Sequence, residues 1–513
     1  MIHLFRKKIL LMAGVAAGVT TAQNINQRPN IILFLVDDMG WQDTSVSFWK
    51  EKTAQNERYH TPNMERLASQ GMMFTQAYAS SVSSPSRVSL LTGMNAARHR
   101  VTNWTLEKNK STDWKSDVIG LPEWNVNGIC QVPNVPHTYE VTSLAQLLKD
   151  NGYHTIHCGK AHFGAIDTPG ESPYHLGFEV NIAGHAAGGL ASYLGERNFG
   201  NRTDGKPSSL FAVPGLNEYW GKDVFVTEAL TIEAKNALNK AKRLEQPFFL
   251  YMAHYAVHVP FDIDKRYYQK YADKGLSRNE AAYAALIEGM DKSLGDLMDW
   301  LEENKMADNT IIIFMSDNGG FASESSARDL PLYTQNAPLK SGKGSAYEGG
   351  IRVPMMVKWT GKVSSNTRNH NPIIIEDFFP TVLEMAQVKK FYTKQPVDGV
   401  SFMPMLIDKE KSLKHRNFYW NFPNLWDSSG PGIGATCTVR SGDWKLIYWY
   451  ETGKKELYNI QKDIGETNNL ASQQPRLVKK LSKDLGKYLR KVNAQRPFFK
   501  ATNKPCPWAD EVE

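Results

Sequence analysis

Apolar and polar positions along the chain fall into repeated blocks of two kinds. The run PNIILFLVDDMG (29–40) is β-branched and apolar until two acids end it, as expected of a strand buried on both faces of a parallel sheet. NTIIIFMSDNGG (309–320) has the same shape, VPMMVKW (353–359) reads as one more strand, and PFFLYMAHYAVHVPF (247–261) begins as one. Between them lie segments with helical spacing: 61–71, with Thr61, Pro62 and a closing Gly71, then 223–243 and 277–305. Residues 142–164 read as helix, turn and strand. Strands alternating with helices predict an α/β fold, a large mostly parallel sheet sandwiched by helices.

After about residue 410 the texture changes. TVRSGDWKLIYWYETGKKELYNI alternates and carries Gly/Lys turns, which predicts antiparallel strands, and residues 475–492 form an amphipathic helix with a basic outer face. The expected division is a catalytic α/β domain over 28–410 and a smaller subdomain over 411–513, an antiparallel sheet plus a helix. The segments 100–140 and 165–222 are rich in Gly, Asn, Trp and Tyr. Long ordered loops on a rigid sheet commonly build a binding pocket.

The N-terminus reads MIHLFRKKILLMAGVAAGVTTAQ. A basic start, a short apolar run and small residues up to Ala22 predict a signal peptide over 1–22, and hence an exported, periplasmic or secreted protein. No later segment reads as transmembrane, so no stable membrane insertion is expected. Among 513 residues, 41% hydrophobic and 22% charged content is globular, and a net charge of +7 is mildly basic. That balance is compatible with anionic partners, but no Lys/Arg block with interleaved aromatics stands out, so nucleic-acid binding is not expected. Cys130, Cys158, Cys437 and Cys506 match no zinc spacing, and the sequence does not choose between disulfides and free thiols.

The candidate chemistry gathers where strands end. Asp37 and Asp38 close the first strand, and Asp317 and Asn318 close a later one. Ligands of open α/β sheets collect at the carboxyl ends of strands, and an all-oxygen set suits Ca²⁺ or Mg²⁺. In SVSSPSRVSLLTG (81–93), Pro85 suits a first helical turn and Ser83 or Ser84 suits its cap. Arg87, four residues after Ser83, can face the same side. In CGKAHFG, Lys160 and His162 fall on one side if the extended form persists. HYAVHVP offers His254 and His258, and Lys343 sits between glycines in SGKGSAYEGG.

Taken together, these segments resemble the type I, formylglycine-dependent sulfatase family of the alkaline phosphatase superfamily, over about residues 28–495. Ser83-Ser84-Pro85-Ser86-Arg87 followed by Leu91-Thr92-Gly93 is the family signature in its serine form, and the other segments follow in family order. The resemblance implies that Ser83 is oxidised to formylglycine by a maturation enzyme before export. The hydrated aldehyde then has two hydroxyls, one to attack sulfur and one whose deprotonation expels sulfate, so water need not attack an anionic ester. It further implies Asp37, Asp38, Asp317 and Asn318 as Ca²⁺ ligands, with residue 83 completing the shell. Arg87, Lys160 and Lys343 would hold charge around the sulfate. His258 would be the general acid and His162 the base that collapses the intermediate.

The expected reaction is hydrolysis of a sulfate ester on a carbohydrate. His99, Trp104 and His185 lie in loops that could meet the sugar, and Trp114, Trp124, Tyr174, Tyr193 and Trp220 are further loop aromatics. Two other readings stay open: a phosphatase or phosphonate monoester hydrolase of the same superfamily, and a non-catalytic glycan-binding relative.

Overall fold

A computed structural model describes residues 28–322, 333–427 and 430–512; the expected signal peptide lies outside the described residues. Its principal elements, in chain order, are β1 (Asn30–Val36), α1 (Pro62–Gln70), β2 (Met72–Phe74), α2 (Ser83–Thr92), α3 (Leu144–Asp150) and β3 (His154–Gly159). There follow β4 (Val180–Ile182), α4 (Val226–Arg243), β5 (Phe248–Ala253), α5 (Arg278–Glu303), β6 (Thr310–Ser316), β7 (Met355–Lys358), β8 (Thr367–Asn369) and α6 (Phe378–Met385). The C-terminal part holds β9 (Asn417–Phe422), β10 (Thr436–Ser441), β11 (Trp444–Trp449), β12 (Lys455–Asn459) and α7 (Pro475–Lys491).

Eight strands form one sheet in the order β8-β2-β7-β6-β1-β5-β3-β4. The run from β6 to β4 is parallel, whereas β7 lies antiparallel to both β6 and β2. Strand alternation divides the interior into two layers. Ile32, Phe34 and Val36 of β1 pack with Met64 and Leu67 of α1, Leu230 of α4 and Leu286 of α5. Ile31, Leu33 and Leu35 face the other way, onto Val88 and Leu91 of α2, Leu147 of α3 and Val382 of α6. Both faces of β1 are therefore covered, which is why its sequence shows no polar alternation.

The second sheet is antiparallel, β9-β10-β11-β12. Helix α7 packs on it through Val478, Leu481, Leu485 and Leu489, at the three- and four-residue spacing of a helical stripe. All four cysteines are buried free thiols. No helix among the described residues is long and apolar enough to cross a membrane.

Candidate active site

Register decides where the chemistry can sit. Val36 of β1 pairs with Ser316 of β6, Leu35 with Ala253 of β5, and Gly159 of β3 with Ala253. The carboxyl ends of four neighbouring strands thus finish at almost one level. The residues that follow them, Asp37, Asp317, His254 and Lys160, start from adjacent points. Gly159 has φ +100°, and a Cβ there would lie 1.9 Å from the Ala253 carbonyl oxygen. Only glycine lets β3 and β5 close up at that point. Asp38 also takes a left-handed backbone, φ +59°, an uncommon state for a residue with a Cβ.

Helix α2 brings Ser83 to these strand ends. The N-cap is Val82, with no side-chain cap bond, rather than Ser83 or Ser84 as the sequence suggested. Ser83 is instead the first helical residue, and Ser86 receives the backbone N–H of Ser80 at 2.9 Å. The Ser83 hydroxyl is thereby left for the strand ends. It lies 3.0 Å from Lys160 Nζ, 3.3 Å from Asn318 Oδ1 and 3.5 Å from Asp37 Oδ1. Arg87, one turn on, is wholly buried. Its Nε donates to Asp317 Oδ2 at 2.9 Å and its Nη1 to the Lys160 carbonyl at 2.9 Å, while Nη2 has no partner among the described residues.

Carboxylate oxygens of Asp37, Asp38 and Asp317 all approach within 4.8 Å of one another in a buried cluster. Lys160 Nζ lies 2.7 Å from Asp37 Oδ2, and Lys343 Nζ lies 2.7 Å from Asp38 Oδ1. Burial, with Asp317 and Asp38 nearby, pushes the Asp37 carboxyl up to about 8 against the pull of Lys160. Burial also works to raise Asp38, but Lys343 and His258 overcome it and hold that carboxyl well below the usual range. Burial brings the Lys160 ammonium down to about 8. Three buried carboxylates beside Asn318 Oδ1 and the Ser83 hydroxyl make an all-oxygen donor set, which fits a hard divalent cation. The crowding of negative charge at Asp37 is what such a cation would relieve.

The two histidines are held differently. His162 sits at φ +60°, so the extended form of β3 does not persist to it. It still reaches the site, packed so closely on Gly188 that a Cβ there would fall 2.2 Å from its Cε1. His162 Nε2 lies 2.9 Å from the Thr105 carbonyl, and Nδ1 has no partner among the described residues. The carbonyl can only accept, so Nε2 carries the hydrogen and Nδ1 the lone pair. His258 Nδ1 lies 2.7 Å from the Val259 carbonyl, which leaves Nε2 facing Asp38 Oδ2 at 3.7 Å. Burial and Lys343 lower the His258 ring to about 3. His254 is turned into the core, against Ser293 Oγ at 2.8 Å.

A cavity of about 290 Å³ opens above Ser83, His162, His258 and Lys343. Trp104 and Trp114 line it. His99 does not; it is buried between Ser89 Oγ and the backbone N–H of Val101, each at 3.0 Å. His185 does not line it either, though its carbonyl receives the backbone N–H of His162 at 3.2 Å. Trp124 and Tyr193 are packed in the interior, Trp220 is packed against it, and Tyr174 points to solvent. Three aromatic walls that the sequence reading passed over are Phe211, Phe321 and Trp426. Phe211 lay unremarked inside the 165–222 loop, and Phe321 directly follows the Asp-Asn-Gly-Gly run. Trp426 comes from the C-terminal part, and only its place among Pro, Asn and Gly in a loop could have flagged it. A Cβ at Gly344 would lie 2.2 Å from its ring, so the glycines around Lys343 admit that indole.

Comparison with known proteins places this geometry in a family. A family model described as Sulfatase matches residues 29–388, and one described as N-sulphoglucosamine sulphohydrolase, C-terminal, matches residues 342–495. A "Sulfatase" of Formosa agariphila is 30% identical over 97% of this chain and 95% of its own length. An "N-acetylgalactosamine-6-O-sulfatase" of Bacteroides thetaiotaomicron is 28% identical, over 92% of this chain and 96% of its own. Among solved structures, Ps i-CgsB in complex with k-i-k-neocarrahexaose is similar at a TM-score of 0.71 and 28% identity, covering 90% of this chain and 93% of that one. The sulfatase model spans both strand ends that carry the acids, as well as Ser83, Lys160 and Lys343; the chain belongs to the sulfatase family of the alkaline phosphatase superfamily and is a sulfuric ester hydrolase.

Proposed function

We propose that this chain is an exported glycan O-sulfatase, with formylglycine derived from Ser83 as its nucleophile and one Ca²⁺ held by Asp37, Asp38, Asp317 and Asn318. The carrying observation is the place of the Ser83 hydroxyl, 3.0 Å from Lys160 Nζ and 3.3 Å from Asn318 Oδ1. An ordinary structural serine at a helix start caps backbone N–H groups; this one is turned to a cation-compatible cluster. The hydrated aldehyde would supply one hydroxyl for attack on sulfur and a second for release of sulfate. Bound Ca²⁺ would supply Lewis-acid polarisation of a sulfate oxygen.

The remaining work falls to the chain's own groups. Lys160 and Lys343 present ammonium groups to the sulfate oxygens, and Arg87 fixes Asp317 from behind while its buried charge offsets the acids. His162, with Nδ1 as its free lone pair, takes the proton of the hydroxyl not used in attack. His258 gives a proton from Nε2 to the departing sugar oxygen. An anionic ester seated beside that ring stabilises its protonated form and counters the lowering by burial and Lys343. Trp104, Trp114 and Trp426 offer flat apolar faces for the sugar, a common way to enclose a small polar ligand.

Carbohydrate is favoured as the substrate class by the names of the relatives, one an N-acetylgalactosamine-6-O-sulfatase and one bound to a neocarrahexaose. The two-zinc phosphatase alternative is disfavoured by the donor set, since the clustered acids are joined by asparagine and serine oxygens, and the His258 ring comes no nearer than 3.7 Å to Asp38. The decisive experiment joins mass spectrometry of the Ser83 peptide to an assay of sulfate release from defined sulfated galactose, glucosamine and galactosamine derivatives. Aldehyde at residue 83 with turnover of one sugar isomer is expected. Full sulfatase activity with an unmodified serine would remove the formylglycine reading. Turnover of an aryl sulfate and of no sugar would remove the glycan.

A further inference from the structure

A second cavity, of about 560 Å³, shares no lining residue with the one at Ser83. Lys50, Arg352, Arg368, Lys462 and His370 line it, and no carboxylate does. Lys50, Arg368 and Lys462 are exposed at its mouth. Deeper in, Arg352 is almost buried. It is tied to the Thr75 carbonyl at 2.9 Å and to Glu348 at 3.3 Å, and its guanidinium sits 4.3 Å from the centre of the Trp41 ring. Trp41 itself lines the cavity and is 1% exposed, yet its indole N–H has no acceptor among the described residues. A buried donor without a partner is unfavourable. The cations around the cavity favour an anionic ligand. Trp49 adds a half-buried aromatic face to the same wall.

We propose that this cavity is a second saccharide site, which holds a sulfated segment of the glycan away from the ester being cleaved. Sulfate oxygens accept from Lys50, Arg368 and Lys462 at the mouth, and a sugar ring lies on Trp49. The choice of sulfate over other anions rests on the glycan-sulfatase reading above; the site itself rests on the cavity. Anchoring one part of a chain raises the local concentration of the rest at the Ser83 cavity.

The test uses full-length Ser83→Ala protein, so that no ester is turned over, with a persulfated galactan hexasaccharide, its desulfated counterpart and inorganic sulfate as probes. Calorimetry should give two sulfated hexasaccharides per chain, and the desulfated sugar should not bind the second site. In a Lys50→Ala/Arg368→Ala/Lys462→Ala background the stoichiometry should fall to one, with the melting temperature unchanged. With Ser83 intact, the triple variant should raise KM for a sulfated polymer at least tenfold and leave KM for a sulfated monosaccharide as it was. A single site in both backgrounds, or an unaltered polymer KM, would overturn the proposal. Inorganic sulfate binding as tightly as the hexasaccharide would overturn the saccharide and leave a plain anion site. Loss of the second site in the triple variant, in a protein whose wild type turns over no sulfated sugar, would uphold the cavity and sink the glycan-sulfatase reading instead.

Discussion

Ser83 stands in a position no other serine of its segment shares, because Val82 takes the cap and Ser86 is engaged by Ser80. Ser83→Ala removes one hydroxyl from a buried pocket and no backbone bond, so the protein should melt within a degree or two of wild type. Sulfate release should fall at least a thousandfold, the scale of losing a covalent nucleophile; residual activity within tenfold of wild type would exclude residue 83 as that nucleophile. Asp317 separates charge from shape. Asp317→Ala leaves the buried Arg87 without its Nε acceptor, and should cost about 3–5 kcal/mol in urea unfolding. Asp317→Asn keeps an acceptor there and should lose less stability, while bound calcium still drops by elemental analysis. Full calcium in the alanine variant would remove Asp317 from the ligand set. These acids were legible because each follows a buried apolar run, where a charge needs a reason. His99 was not, since a loop histidine in sequence gives no sign that its ring will be sealed between Ser89 and Val101.

The elements were legible in proportion to their length and period. Strands β1 and β6 announced themselves as unbroken apolar runs, and α7 as a stripe. Three-residue strands such as β2 and β8 are too short to show a period, and the antiparallel sense of β7 depends on where the chain returns from. The junction of β3 with β5 shows what an element end contributes to the site. Gly159 abuts the Ala253 carbonyl, and Lys160 is the next residue. Gly159→Ala must push the two strand ends apart by more than an ångström, in a left-handed backbone that already disfavours a side chain. The expected outcome is a loss of about 2–4 kcal/mol by the scale of buried strain, together with a fall in kcat larger than any rise in KM as Lys160 is displaced. An alanine variant with unchanged kcat would mean that Lys160 is held by its ion pair with Asp37 rather than by strand register.

At the scale of the whole molecule, a buried ionic node ties the second sheet to the segment that follows Lys343, and it should respond to pH. Lys445 of β11 is fully buried, 3.1 Å from Glu348 and 2.9 Å from Glu466. Glu348 stands five residues beyond Lys343, and its backbone N–H donates to Glu466 at 2.6 Å. The second sheet thus braces the loop that carries Lys343. Two carboxylates share one ammonium, and they are driven apart in opposite directions. Burial would raise Glu348, but Lys445 and Arg352 hold it down at about 2. Burial and the Glu348 charge push Glu466 up to about 7 despite Lys445. A carboxyl raised on folding binds its proton more tightly in the native state. Its stabilising contribution is complete below the ordinary value of 4.5 and disappears as pH rises through about 7. Glu466→Gln mimics the protonated form at every pH. The variant should therefore match wild type near pH 4.5 and gain on it steadily, on the order of a few kcal/mol by pH 8. Melting curves of both proteins from pH 4.5 to 8 measure that difference directly. A constant difference across the range, or a variant that weakens as pH rises, would mean that Glu466 is ionised throughout and that the node is held by two full ion pairs.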